Sequence, residues 1–220
     1  MTRPQLAVAL RFGLRELRGG LRGFAVFLAC LALGVAAIAG VGSFARGLQE
    51  GVAREGRVIL GGDAAFSIAH RQASAEERAY LASRGRISEI ATLRAMARRT
   101  DGQDQTLVEL KAVDDAYPLY GEARLEGGGD LDAALARRNG LWGAVVEPAL
   151  LLRLGLKTGD RVRLGNIEVE IRDALRAEPD RLVGALGFGP RLMISQGALG
   201  ATDLVQPGSL ITWRYRVALQ

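Results

Sequence analysis

Cysteine and histidine each occur once in the 220 residues, at Cys30 and His70, and these two scarcities exclude several kinds of chemistry. A lone cysteine closes no intramolecular disulfide, so a disulfide-stapled scaffold is excluded. Cys30 sits inside an apolar run, so a zinc site with nitrogen and sulfur ligands cannot be assembled within this chain. A Ser-His-acid triad would have to use His70, and no Gly-x-Ser-x-Gly elbow presents a nucleophile. His70 reads as an ordinary strand-end residue. The glycines of Gly184-Ala185-Leu186-Gly187-Phe188-Gly189 follow neither the dinucleotide nor the P-loop order, and Pro190 rather than a helix follows them, so this segment is expected to be a loop that cradles no phosphate. Asp114-Asp115 and Glu178 with Asp180 are the acidic pairs that acid–base work would call on. No perturbing neighbour is evident for either in the sequence, and solvated loop charges are expected. Catalytic residues, cofactor-binding residues and metal ligands are therefore all expected to be none.

A spread-out positive charge is also missing. The formal net charge is +5, but residues 1–22 hold Arg3, Arg11, Arg15, Arg18 and Arg22 against Glu16 alone. The long remainder is close to neutral, with both signs interspersed and aromatics at only 5%. No basic stripe with interleaved aromatics remains to neutralise phosphates, which argues against a nucleic-acid partner. Disorder is not the expectation either, because a chain with 49% apolar residues can fill a core.

What the sequence does have is one long uncharged run. From Gly23 to Ala45 there is no charged residue, and FAVFLACLALGVAAIAGVGSF fills residues 24–44. At 1.5 Å per residue, about 20 such residues cross a hydrocarbon core. The run is too long for the apolar region of a cleaved signal peptide, about 7–15 residues, and a mid-run Cys30 suits a lipoprotein anchor poorly. Arginines cluster before the run, whereas Arg46, Glu50, Arg54, Glu55 and Arg57 after it are mixed in sign. The positive-inside rule then places the N-terminus in the cytoplasm and residues 46–220 outside it. Leu6, Leu10, Leu14, Leu17 and Leu21 recur at helical spacing beside a second stripe of Arg11, Arg15, Arg18 and Arg22. Residues 1–22 thus read either as an amphipathic helix lying in the lipid interface, guanidinium groups toward headgroups, or as a basic flank that sets topology. Within the span, Ala32, Ala36 and Gly40 stand four apart on one face, a candidate packing face for another helix, although alanine is common in this chain.

The rest reads as a mixed domain. A strand is expected over Ala64–Ala69. Ser74 with Glu77 forms a capping box for a helix from Ala75 to Arg84, which Gly85 stops. Ile87–Arg99 and Gln105–Val113 read as a hairpin about Thr100-Asp101-Gly102. Asp130 is expected to cap a helix ending at Asn139-Gly140. Trp142–Val146 is a buried strand candidate, and Pro148 opens a short helix that Gly155 ends. Arg161–Leu164 and Ile167–Ile171 alternate about Gly165-Asn166 as a second hairpin, and Arg191–Ser195 and Ser209–Leu219 are further strands. The sum is an α+β domain with mostly antiparallel pairing and two or three helices. Gly127-Gly128-Gly129 is a loop and a weak candidate for a subdomain boundary.

Several phrases, taken as an ordered set, resemble a known family. They are LRELRGGLRGFAVFLACLALGVAAIAGVGSF at residues 14–44, LVELKAVDDAYPLYG at 107–121, WGAVVEPALLLRLGLKTGDRVRLG at 142–165, EPDR at 178–181 and LVQPGSL at 204–210. Together they resemble the N-terminal part of the FtsX-like/MacB-type ABC transporter permeases, in particular their YbbP-like branch. The resemblance implies a bacterial inner-membrane permease subunit with a first transmembrane helix and a MacB-like periplasmic core domain. It implies that ATP is bound by a separate cytoplasmic ATPase subunit, whose closure moves the spans and, through them, the periplasmic domain. It also implies export of hydrophobic or lipid-like compounds and a periplasmic esterase or thioesterase as a client protein. Permeases of this type have further spans, and after Ala45 no charge-free run approaches 18 residues, so the 220 residues are expected to be an N-terminal fragment or a truncated product.

The expected organisation is thus a cytoplasmic interfacial helix over 1–22, a transmembrane helix over 23–45, and an incomplete periplasmic α+β domain over 46–220. The competing expectation is a single-span anchored domain that recruits a periplasmic protein without any ATPase. An enzymatic reading is the weakest, given one histidine and no nucleophile motif.

Overall fold

In a computed structural model, which describes residues 24–48, 56, 60–179 and 189–219, the uncharged run forms a single helix, α1 (Phe24–Leu48). Its 25 residues give a length of about 37 Å, enough for the ~30 Å hydrocarbon core of a bilayer. Its Phe, Leu, Ile and Val side chains are exposed along the whole length. A helix pairs its main-chain groups internally, as hydrocarbon requires, so α1 is long and apolar enough to cross a membrane. It runs past Ala45 through Arg46 and Gly47. The helix expected over residues 1–22, with Arg11, Arg15, Arg18 and Arg22, lies outside the described residues.

The chain divides into two compact units, Met1–Arg54 and Glu55–Gln220. The second contains, in order, β1 (Ala64–Ala69), α2 (Ala75–Ala82), β2 (Gly85–Arg99), β3 (Gln105–Val113), β4 (Arg124–Leu125), α3 (Leu131–Leu135) and β5 (Arg137–Arg138). There follow β6 (Leu141–Val146), α4 (Pro148–Leu154), β7 (Arg161–Leu164), β8 (Ile167–Ala177), β9 (Arg191–Ser195), α5 (Gln196–Thr202) and β10 (Ile211–Leu219). The strands lie in the order β1-β10-β2-β3-β9-β6-β8-β4, with β5 on β6 and β7 joining β2 to β8. Only β3·β9 and β6·β8 run parallel. This is the mixed, mostly antiparallel α+β domain expected from the sequence.

β7 gives the sheet its shape. The far end of β2, Ala97–Arg99, pairs with Val162–Leu164 of β7, which also pairs with β8. β2, β3, β9, β6, β8 and β7 therefore close into a ring, and closure removes sheet edges from all six. The period of two along each strand divides the buried residues into two cores. The larger holds Leu110, Val146, Val162, Ile171, Leu192 and Ile194 from the ring, with Leu150 and Leu154 of α4 and Leu199 of α5. It continues onto β10 through Ile211, Trp213, Tyr215 and Val217. The second, on the other face, packs Ile90, Val113, Val145, Leu175 and Met193 against Tyr117, Leu125 and the α3 residues Leu131 and Leu135.

Local chemistry accounts for most boundaries. Ser74 and Glu77 close the expected capping box on α2, and Gly155 ends α4 in the left-handed conformation. Four expectations need correction. α2 ends at Ala82, and Gly85 instead opens β2, where a Cβ would collide with the Ala218 carbonyl of the neighbouring strand. α3 ends at Leu135, because Asn139-Gly140, both at positive φ (51° and 82°), form the tight turn between β5 and β6. That is the hairpin geometry Asn-Gly favours, and it outcompetes a helix C-cap. α5, capped by the Ser195 hydroxyl accepting from the Ala198 N–H, is a fourth helix among the described residues after Gly61, one more than expected. Gly127-Gly128-Gly129 bounds no subdomain, since the unit continues across it and the Gly127 N–H donates to Asp173 Oδ1 at 3.0 Å.

Candidate functional site

On α1 the four-residue spacing holds Ala32, Ala36 and Gly40 on one helical face, and nothing lies within 4 Å of where a Gly40 side chain would begin. All three residues are exposed.

In the second unit, two groups of ionisable residues lie on the same side of the sheet as the smaller core. The first is buried. The side chain of Lys111, on β3, is 3% exposed, and that of Glu178, just beyond β8, is 2% exposed. The Lys111 ammonium donates to Tyr117 Oη at 2.9 Å and to Glu178 Oε1, and lies 4.2 Å from the centre of the Tyr117 ring. Glu178 Oε2 accepts from Nε of Arg191, on β9, at 3.2 Å. Arg191 reaches Glu109 Oε1 at 2.9 Å, and its main-chain N–H donates to Glu147 Oε2 at 3.0 Å. Two cations thus face two carboxylates, and one carboxylate links β3, β9 and the end of β8. The sequence reading of Glu178 as a solvated loop charge is overturned: two buried cations hold it. LVELKAVDDAYPLYG supplies Glu109, Lys111 and Tyr117, and EPDR supplies Glu178, so two phrases of the family resemblance meet here.

The second group opens to solvent as a cleft of about 400 Å³. Its lining includes Val113, Leu135, Trp142, Ser195 and Gln196. Asp114, Asp115 and Asp132 supply the carboxylates. Asp114 follows β3 and accepts from Ser88 Oγ at 2.7 Å and from the Glu89 N–H at 2.6 Å. Burial raises the Asp114 carboxyl above its ordinary value, with Asp115 adding to the shift while these hydrogen bonds oppose it. Asp132 is raised too, first by burial and then by Asp130, Asp115 and Asp114. For Asp114 this corrects the expectation of an unperturbed loop charge. Among the described residues no group of three or more His, Cys, Asp or Glu is disposed to hold a metal ion. Sequence reasoning missed Asp132, Trp142 and Ser195 because they reach the cleft from three separate elements.

His70 follows β1 at φ 67°, exposed, with Nδ1 3.3 Å from the Ser209 carbonyl. It is the strand-end residue expected. Residues 184–188 of the glycine segment lie outside the described residues.

Comparison with known proteins adds the following. No family model matches the chain. The ABC transporter permease YbbP of Escherichia coli (strain K12) is 32% identical over 189 residues, which is 84% of this chain. The chain spans about a fifth of that relative's length, 22%. Among solved structures, the extracellular domain of the noncanonic ABC-type transporter YknZ from Gram-positive bacteria superposes with a TM-score of 0.47 at 14% identity, over 66% of this chain and 73% of that one. The periplasmic region of MacB from Actinobacillus actinomycetemcomitans gives a TM-score of 0.45 at 10% identity, over 74% and 77%. Over most of its own length, then, the chain is related in sequence to an ABC transporter permease, YbbP.

Proposed function

We propose that the chain is part of the permease subunit of an ABC transporter of the FtsX/MacB mechanotransmission type. The observation that carries this reading is the 32% identity to YbbP, which extends over 84% of the chain. In this reading α1 is a transmembrane helix of the bacterial inner membrane, with the N-terminus cytoplasmic and residues 46–220 periplasmic. Arg11, Arg15, Arg18 and Arg22 meet lipid headgroups on the cytoplasmic side. A separate cytoplasmic ATPase binds and hydrolyses ATP, and the motion of α1 reaches the periplasmic domain. The work done there is export of hydrophobic or lipid-like compounds, and a periplasmic esterase or thioesterase is the client that the family resemblance implies.

Ala32, Ala36 and Gly40 are the face by which α1 packs on another span, since small residues let helix backbones approach in lipid. Ala36→Leu is expected to impair assembly more than Leu31→Phe on another face of α1. Equal effects would remove the assignment.

The deciding experiment is affinity capture of the tagged gene product from mild detergent. An ABC ATPase is expected to co-purify in stoichiometric amount, with its hydrolysis altered by the permease. Capture without an ATPase would replace this reading by that of an anchored domain recruiting a periplasmic protein. Orientation is tested separately by cysteine labelling in intact cells: a cysteine at exposed Gln103 should react with an impermeant maleimide, and one at Arg15 should not.

A further inference from the structure

The open cleft holds charge of one sign. Every charged residue that lines it is an aspartate, Asp114, Asp115 or Asp132, and Val113, Leu135 and Trp142 add apolar lining beside them. Among the described residues none of the three carboxylates forms an ion pair. Cations carried by adjoining elements are engaged elsewhere. Arg172 donates to Glu170 and to the carbonyls of Ala134 and Ala136. Lys111 and Arg191 hold Glu178, and Arg191 also holds Glu109. Arg137 lies over the Trp142 ring, 5.4 Å from its centre.

The lining is fixed by the protein itself. Asp114 accepts from Ser88 Oγ and from the Glu89 N–H. Gln196 Nε2 donates to the Glu89 carbonyl at 2.9 Å, and Ser195 Oγ accepts from the Ala198 N–H at 3.2 Å. A Cβ at Gly197 would lie 2.8 Å from the Trp142 ring, so the lack of a side chain there lets the ring lie against the start of α5. The cleft volume of about 400 Å³ falls within the ~300–1,000 Å³ of small-ligand sites, which join an apolar lining to a few fixed polar groups.

We infer that this cleft binds a small organic cation, an ammonium or guanidinium group carried on an apolar body. Charge complementarity selects the cation, since three carboxylates in one cleft favour a positive charge and disfavour an anion. The apolar lining selects the body, because Val113, Leu135 and Trp142 gain nothing from a hydrated inorganic ion. A bare metal ion is not the match either: among the described residues no group of three or more His, Cys, Asp or Glu is disposed to hold one. With Arg137 already over its ring, Trp142 serves the ligand as apolar surface, and the carboxylates supply the charge. Binding here needs no ATPase partner, so its failure would leave the permease reading intact.

The chain has two tryptophans, and fluorine NMR of the full chain in nonionic detergent, labelled with fluorotryptophan, reads them separately. Trp142 reports on the cleft, buried Trp213 is the control, and Trp142→Phe assigns the two resonances. Benzyltrimethylammonium should move the Trp142 resonance saturably and leave that of Trp213 in place. Benzyl alcohol, which has the ring without the charge, should bind about tenfold more weakly, the worth of two or three partly exposed charge pairs. Asp115→Asn with Asp132→Asn should weaken benzyltrimethylammonium about fivefold with the Trp213 resonance unchanged. Added sodium chloride should weaken its binding to the unmutated chain. If the double variant does not keep the Trp213 resonance, the comparison with benzyl alcohol decides. A Trp142 resonance that does not move, equal affinity for benzyl alcohol, or unchanged affinity in a folded double variant would each overturn the proposal. So would a shift caused by trilysine and not by benzyltrimethylammonium, which would give the cleft to a basic peptide segment instead.

Discussion

Two carboxylate-rich places on one side of this sheet have opposite fates. At the Lys111–Glu178–Arg191 cluster the carboxylate is nearly inaccessible, and each of its oxygens meets a cation. In the cleft bounded by Asp114, Asp115 and Asp132 the carboxylates meet one another and solvent, and the charge on Asp114 is offset by a hydroxyl and a main-chain N–H. Burial is tolerated in the first because opposite charge accompanies it, and it lifts the carboxyl pKa in the second because opposite charge does not. The first place is organised to hold three strand segments in register. The second leaves space and carboxylate charge facing solvent.

The comparison breaks most sharply at Glu178. Glu178→Gln leaves Lys111 and Arg191 buried with one carboxylate fewer, and the expected loss of stability is about 3–5 kcal/mol. Chemical denaturation of the full chain in detergent, followed by Trp142 and Trp213 fluorescence, measures it. A loss below about 1 kcal/mol would mean that the cluster contributes no more than an exposed pair. Replacing both Lys111 and Glu178 sharpens the point. Lys111→Met with Glu178→Leu removes the buried charges together and leaves Arg191 its 2.9 Å contact to Glu109. The double variant is expected to be more stable than Glu178→Gln, because a buried cation without its counter-charge costs more than an apolar pair of similar volume. Additive losses would show that shape rather than charge dominates there.

How far each place was legible in the sequence follows from the range of the interactions. Elements defined by signals a few residues apart were readable: the Ser74–Glu77 capping box, the β2–β3 hairpin about Asp101-Gly102, and α4 between Pro148 and Gly155. Where two local signals competed, as at Asn139-Gly140, the reading failed, since the same dipeptide ends helices and turns hairpins. α5 was missed because Gln196–Thr202 carries two glycines and little helix propensity, and burial of Ala198 and Leu199 forms it. Ring closure through β7 depends on a pairing between residues about 65 apart, which no periodicity reports. Glu178 was misread for the same reason. Its cations lie 67 residues before it and 13 after it, and only the fold brings them together. Asp114-Asp115 is legible as a pair, but Asp132 and Trp142, which also line the cleft, come from α3 and β6.

The smallest expected effect lies at the rim of the cleft, and it tests the sign of the electrostatics. Asp132 has a carboxyl raised above its ordinary value by burial and by the neighbouring Asp130, Asp115 and Asp114. The folded protein therefore binds that proton more tightly than the unfolded chain does. Its favourable contribution is complete below the ordinary aspartate range, near pH 3.9, and is lost as pH rises through the raised folded value. Asp132→Asn removes this titration. Relative to the unmutated chain the variant should be unchanged in stability at the acidic end and slightly more stable at pH 7, by less than about 0.5 kcal/mol because the group is largely solvated. The gain should shrink in high salt, as expected for repulsion among exposed charges. A variant less stable at pH 7 would mean that the Asp132 carboxylate has a stabilising cationic partner, and the cleft would then be a second matched cluster rather than the counterpart of the first.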